Sequence, residues 1–384
     1  MENIQLIVEY EDVTNEDMLA EIGIIKYRLP IIGACVLEVT HEQAKYLRGL
    51  KSVKAVYETS NIIAQHKSSE LLTGQGINVA VLDTGLCPSA DFTKPNNRLV
   101  IFKDFVNGRD DYYDDNGHGT HVAGIVCGSG YLSNGVHTGI APNAGIIAIK
   151  VLDDEGRGNS ADVLAGLQWV ADNKEKYNIK IVNLSVGTPD VNNFDPLLAA
   201  VECIWDMGIV VTVAAGNDGP LASSVTSPGS SKKVITVGAS DDSTACVDAF
   251  GERIVDFSGR GPTRNCIIKP DILAPGADIV SVRSQGMSDK VQRALQDKFV
   301  GDYYLSLSGT SMATPRVSGA IALLLEKNPE LSPDDVKYAL KRSAADLLKD
   351  ANQQGWGRLD IESLISMEAK NVREKSAGNN TRLE

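Results

Sequence analysis

The chain has 384 residues, enough for one large domain and a small companion, and 43% of them are hydrophobic. That balance, with glycine and proline scattered throughout, excludes a fibrous or disordered protein. A formal net charge of −13 argues against a nucleic-acid binder, whose footprint is basic, and fits a solvated acidic surface.

The opening residues Met1–Leu6 lack the basic start and apolar run of a secretory signal. Nowhere does the chain approach the ~18 consecutive apolar residues of a membrane span, so no membrane partner is expected. Cys35, Cys87, Cys127, Cys203, Cys246 and Cys266 lie far apart with no CxxC spacing, and they read as reduced thiols. The cytoplasm is the expected compartment.

Residues 1–65 form a unit of their own. Alternation predicts strands at Ile4–Tyr10, Ile24–Leu29, Ala34–Val39 and Val53–Glu58, with helices at Asn15–Ile22 and His41–Leu50. The order βαββαβ is that of a ferredoxin-like α+β domain, and it carries no evident site chemistry.

From residue 76 the rhythm changes. Short, nearly continuous apolar strands at Ile77–Leu82, Ile146–Leu152, Ile179–Leu184 and Ile209–Ala214 alternate with helical stretches near 119–128, 160–176 and 196–207. This predicts an α/β domain over residues 66–366 whose parallel sheet is buried on both faces. A long apolar helix is expected at Met312–Lys327, and Ser332-Pro333 caps another that runs to about Arg342. Residues 367–384 read as a polar tail.

Three motifs carry the chemistry. Val79-Ala80-Val81-Leu82-Asp83-Thr84-Gly85 puts a carboxylate at the end of a buried strand, where α/β proteins bind ligands. Asn116-Gly117-His118-Gly119-Thr120-His121 puts a histidine at a helix start, and Gly309-Thr310-Ser311-Met312-Ala313-Thr314-Pro315 does the same for a serine. Singly, each has a structural reading as turn former, packing residue or N-cap. Together, a serine, an imidazole to deprotonate it and a carboxylate to orient the imidazole make a nucleophilic triad.

In these motifs, over about residues 76–366, the chain closely resembles the subtilisin-like serine proteases. The chain order Asp, His, Ser is also theirs, whereas chymotrypsin-like enzymes run His, Asp, Ser and α/β-hydrolases run Ser, Asp, His. The resemblance implies a three-layer α/β/α fold with a mostly parallel central sheet. It also implies a serine endopeptidase that works on protein or peptide substrates through an acyl-enzyme and needs no cofactor for the chemistry. Ser311 takes the part of nucleophile, His118 of general base, Asp83 of orienting carboxylate, and His121 of a structural neighbour. Asn217, in Ala214-Ala215-Gly216-Asn217, matches the oxyanion-hole asparagine. Ser185-Val186-Gly187 and Gly156-Arg157-Gly158 match the two edges of the substrate cleft, with Thr226 near the base of the first pocket.

The N-terminal unit resembles the inhibitory propeptide of the same family. That implies a self-processed precursor, with Ser60–Gln65 entering the cleft as a substrate-like strand and cleavage near residues 64–70. Other features depart from the family. The linker Lys67–Gly76 is short and drops a segment that in relatives supplies a calcium ligand, while the loop Ser129–His137 is longer than usual. The acidic run Asp110, Asp111, Asp114, Asp115 can hold a hard cation or simply stay solvated, so metal ligation is open. Ser284–Asp302 reads as an inserted, polar surface flap near the cleft. Zinc hydrolysis is a poor alternative without HExxH, and no Cys–His signature surrounds Cys87 or Cys127.

Overall fold

The computed structural model describes residues 4–10, 16–30, 33–58, 72–188, 195–241, 246–247, 253–254, 256–368 and 372. The segment Ser60–Gln65, the processing region near 64–70 and nearly all of the polar tail lie outside the described residues. The chain divides into two compact units, Met1–Ser69 and Glu70–Glu384.

The first unit contains β1 (Ile4–Tyr10), α1 (Glu16–Ile22), β2 (Ile24–Leu29), β3 (Ala34–Val39), α2 (His41–Leu47) and β4 (Val53–Glu58). Its antiparallel sheet has the order β2-β3-β1-β4. The period-2 pattern buries Leu6, Val8 and Tyr10 of β1 on one face, where Leu19 and Leu47 from the helices join them. Thr40 and Gln43 form a reciprocal capping box at the start of α2. That helix ends at Leu47 rather than Leu50, because the backbone N–H groups of Gly49 and Leu50 turn back onto Tyr46 and Leu47.

The second unit is built on seven parallel strands. In chain order its elements begin with β5 (Asn78–Asp83), α3 (Ala90–Thr93), β6 (Leu99–Asp104), α4 (His118–Cys127), β7 (Gly145–Lys150), α5 (Ser160–Asn173), β8 (Ile179–Leu184) and α6 (Pro196–Asp206). They continue with β9 (Val210–Ala214), β10 (Ile235–Ala239), β11 (Cys246–Val247), β12 (Arg253–Ile254), β13 (Ile272–Ala274) and β14 (Ile279–Val282). Last come α7 (Asp289–Leu295), β15 (Phe299–Val300), β16 (Tyr304–Leu307), α8 (Thr310–Lys327), α9 (Pro333–Ser343), α10 (Ala351–Gln354) and α11 (Ile361–Ser366). The sheet order is β13-β10-β9-β8-β5-β7-β6, with every neighbouring pair parallel.

Helix α4 pairs with α8 and α5 pairs with α6, which gives the helical layers of an α/β/α fold. The apolar run in α8 follows from its place. Val317, Ile321 and Leu324 are fully buried, and truncating one such leucine to alanine costs about 2–5 kcal/mol. Three strands of the seven-stranded sheet escaped the sequence pattern. β6 is an edge strand with only Phe102 and Asp104 buried, β13 has three residues, and β10 lies among small residues.

Topology places the site. The chain moves from β5 outward to β6, returns to β7, and then crosses β5 to β8 and onward. The direction reverses at β5, and at such a switch point a crevice opens beyond the carboxyl ends of the strands. Asp83 ends β5, Ser185–Gly187 follow β8, and Ala215–Asn217 follow β9.

Candidate active site

Helix α4 starts at His118 behind Gly117, which holds φ +99° and has no side chain to cap the helix. Its first-turn donors are satisfied from elsewhere. His118 N–H donates to Asn116 Oδ1 at 3.2 Å, Gly119 N–H to Thr84 Oγ1 at 2.8 Å and Thr120 N–H to Asp114 Oδ2 at 2.8 Å. Asp114 is fully buried and also accepts from Thr84 Oγ1 (2.8 Å), Gly117 N–H (2.7 Å) and Thr120 Oγ1 (2.6 Å). This carboxylate therefore joins the end of β5 to the start of α4.

That docking brings His118 Nδ1 to 2.7 Å from Asp83 Oδ1. A carboxylate only accepts, so the proton sits on Nδ1 and Nε2 keeps its lone pair. Burial works against a charged imidazole, but the Asp83 charge and hydrogen bond, helped by Asp114, outweigh it and raise the His118 pKa above its ordinary value. Three residues on, His121 is the opposite case. It is fully buried, its Nε2–H faces the carbonyls of Ile279 and Leu305 at 3.0 Å each, and desolvation lowers its pKa to about 3. It ties α4 to the small sheet of β14 and β16, the structural part expected of it.

Ser311 lies in the first turn of α8. Pro315 has no N–H for the Ser311 carbonyl, and the Ser185 hydroxyl donates to that carbonyl instead at 3.1 Å. The Ser311 hydroxyl donates to the Ser185 carbonyl at 3.0 Å. Asn217 Oδ1 accepts from Thr310 N–H (2.9 Å) and Thr310 Oγ1 (3.0 Å), which fixes the amide and leaves Nδ2 as its available donor.

His118 and Ser311 border a groove of about 860 Å³. Gly156, Arg157 and Gly158 line it together with Ser185, Val186 and Gly187, so both expected edges face one space. Thr226 is buried behind the second edge, packed against both Gly187 and Gly216, with its N–H donating to the Ala215 carbonyl at 3.0 Å. Its Cγ2 would lie 2.7 Å from a Cβ at Gly216, so these two glycines make room for it.

The acidic run does not gather as a cation site. Asp110 is exposed, Asp111 pairs with Arg109 at 2.6 Å, Asp114 is consumed by the contacts above, and Asp115 accepts from Lys150 at 2.8 Å. Among the described residues no group of three or more His, Cys, Asp or Glu converges on a metal position. The sequence reading missed the positioning work of Asp114, and also that of Lys150. The Lys150 ammonium is buried at the end of β7 and donates to the Thr84 carbonyl (2.6 Å), the Leu152 carbonyl (2.8 Å) and Asp115. A usable signal was present: a helix opening on Gly-His needs an acceptor from outside, and Asp114 is the acid three residues before that glycine.

A model of the subtilase family matches residues 74–357. The chain belongs to that family. It is 40% identical to the serine protease AprX of Bacillus subtilis (strain 168), with 94% of this chain and 88% of that protein aligned, so the match reaches into the N-terminal unit. It is 34% identical to subtilisin BL of Lederbergia lenta over 76% of this chain and 91% of that one. Among solved structures, a psychrophilic protease superposes with TM-score 0.60 at 32% identity (74% and 91% coverage). A cold-adapted subtilisin-like serine proteinase superposes with TM-score 0.56 at 30% identity (77% and 90% coverage). This subtilase is a serine endopeptidase that hydrolyses peptide bonds in protein or peptide substrates through an acyl-enzyme.

The two histidines should titrate apart. Followed by NMR in the Ser311→Ala protein, His118 is expected to show a midpoint above the ordinary ~6.5, and Asp83→Asn should lower it. His121 should stay neutral from about pH 5 to 9 in both proteins. A His118 midpoint that ignores Asp83→Asn would separate the two groups.

Proposed function

We propose that Ser311 is the nucleophile, His118 the general base and then acid, Asp83 the orienting carboxylate, and Asn217 with the Ser311 N–H the oxyanion hole. The observation that carries this reading is the 2.7 Å bond from buried Asp83 to His118, which lines one pocket with Ser311 and Asn217. On this reading the Ser311 hydroxyl turns from the Ser185 carbonyl toward His118 Nε2, gives up its proton and attacks the substrate carbonyl carbon. The Asn217 Nδ2–H and the Ser311 N–H, a first-turn donor without an intrahelical acceptor, meet the oxyanion. His118 then hands the proton to the leaving amine, and a water repeats the sequence on the acyl-enzyme. The chemistry takes no cofactor.

An extended peptide lies between the Gly156–Gly158 and Ser185–Gly187 edges as an added strand, and Thr226 limits the depth of the first pocket. Cysteines that form no disulfide among the described residues support a reducing compartment, the cytoplasm. Cys127 is buried, Cys203 and Cys266 are exposed, and none of these three is bridged.

A fluorophosphonate probe tests the assignment: it should label Ser311 in the parent and nothing in Ser311→Ala. Silence in the parent would mark a binding protein without catalysis. Asn217→Leu should lower kcat by about 10²–10³, the magnitude established for the corresponding asparagine of a subtilisin, with little change in KM. A rise in KM at constant kcat would give Asn217 a ground-state role instead.

We further propose that the N-terminal unit is an intramolecular inhibitor removed by self-processing. A separate core, the βαββαβ order and the reach of the AprX match into this unit support that reading. A parallel sheet of non-local contacts folds slowly, and a prefolded partner can template it. Residues 1–65 added to the processed enzyme should inhibit it, and the Ser311→Ala precursor should remain uncut. A fully active, uncut precursor that the separate unit leaves untouched would overturn this.

A further inference from the structure

His118 and Ser311 sit at the junction of two spaces. Beside the groove between Gly156–Gly158 and Ser185–Gly187 lies a second pocket of about 520 Å³, which shares Asn116, His118, Glu155, Arg157 and Ser311 with the groove and adds Asn217. Its apolar lining comes from α7 (Val291, Ala294, Leu295), β16 (Leu305, Leu307) and Met312 of α8. The helix α7 belongs to the inserted segment 284–302. The segment is anchored rather than free: Met287, Leu295 and Leu305 form a small buried cluster, with Val291, Phe299 and Leu307 packed on it. Ser284 Oγ donates to the Asp114 carbonyl at 2.6 Å and Ser288 N–H to the Asp115 carbonyl at 2.8 Å. Lys290 meets Glu155 at 2.5 Å, which joins α7 to the loop that carries Gly156–Gly158.

We propose that this pocket receives the side chain that follows the scissile bond, and that α7 makes the protease favour a large apolar residue there. The inference rests on the proposed catalytic reading, in which the first groove holds the acyl half of the peptide. With the scissile carbonyl at Ser311, the leaving half has to run into the space that Ser311 shares on its other side. An apolar side chain there displaces water from Val291, Leu307 and Met312, a gain that grows with the area covered. The leaving amine departs before deacylation. Its pocket therefore acts on acylation alone, and the preference belongs in kcat/KM for peptides.

The test uses internally quenched peptides that share one acyl half and differ only in leucine or glycine after the cut. A methyl ester of the same acyl half carries nothing there. The parent enzyme should favour leucine over glycine by about 10-fold or more in kcat/KM. Ala294→Trp, which fills the pocket from an exposed position on α7, and Val291→Asp, which charges its wall, should each bring the ratio close to one. Ratios are taken within each variant, so a partly unfolded preparation scales both peptides alike. A parent ratio near one, or an unchanged ratio in both variants, overturns the proposal. Failure of the parent on the methyl ester as well would sink the catalytic reading beneath it.

Discussion

One buried carboxylate holds the site together. Asp114 accepts from Thr84 on the loop after β5 and from Gly117 and Thr120 at the start of α4, and it has no exposure to water. A buried charge without donors is costly, and each charge-assisted hydrogen bond returns about 1.5–3 kcal/mol. Asp114 is therefore tolerated because it is surrounded by donors, and those donors are the two pieces of chain that must meet. Thr84 completes the arrangement, since its hydroxyl donates to Asp114 while accepting from Gly119 N–H. The Asp83–His118 distance is a consequence of that docking. Glycine at 119 is part of it, because a Cβ there would collide with the Gly85 carbonyl.

The serine end obeys a similar logic of missing groups. Proline at 315 withholds the N–H that would occupy the Ser311 carbonyl, and Ser185 supplies the replacement. That exchange pins the start of α8 to the strand edge beside the substrate groove. Thr310 does the same toward Asn217, whose oxygen is taken by the helix start so that its nitrogen faces outward. Ser311 and the Asn217 amide are thus referenced to one helix terminus. A preorganised arrangement of this kind loses no energy to reorientation when charge develops.

How much of this was legible varies with the kind of signal. Asp83, His118, Ser311 and Asn217 stand in short motifs whose neighbours are dictated by close backbone approach, and those neighbours are visible in a string of letters. The buried parallel strands were visible because burial on both faces leaves continuous apolar runs, as in β5 and β8. Lys150 was not: a lysine at a strand end reads as exposed, and only the three acceptors that fold around it justify its burial. Asp114 was hidden among four acids of which the others face solvent, arginine or lysine. The inserted segment was judged polar by composition, yet Met287 and Leu295 on its underside are what it buries.

That underside links the two halves of the site. The sulfur of Met287 would lie 2.8 Å from a Cβ at Gly117, so the insertion packs directly on the residue before His118. Ser284 and Ser288 bind the carbonyls of Asp114 and Asp115 from the same side. Burying side chains such as Met287 and Leu295 is worth about 1.5–3 kcal/mol each, whereas the Lys290–Glu155 pair is exposed and screened. Apolar packing on the histidine loop, rather than that ion pair, is what holds α7 in place. The wall beyond the scissile bond and the imidazole therefore share one foundation. A change that loosens the insertion reaches His118 through Gly117, and a change at Asp114 reaches the wall through Ser284.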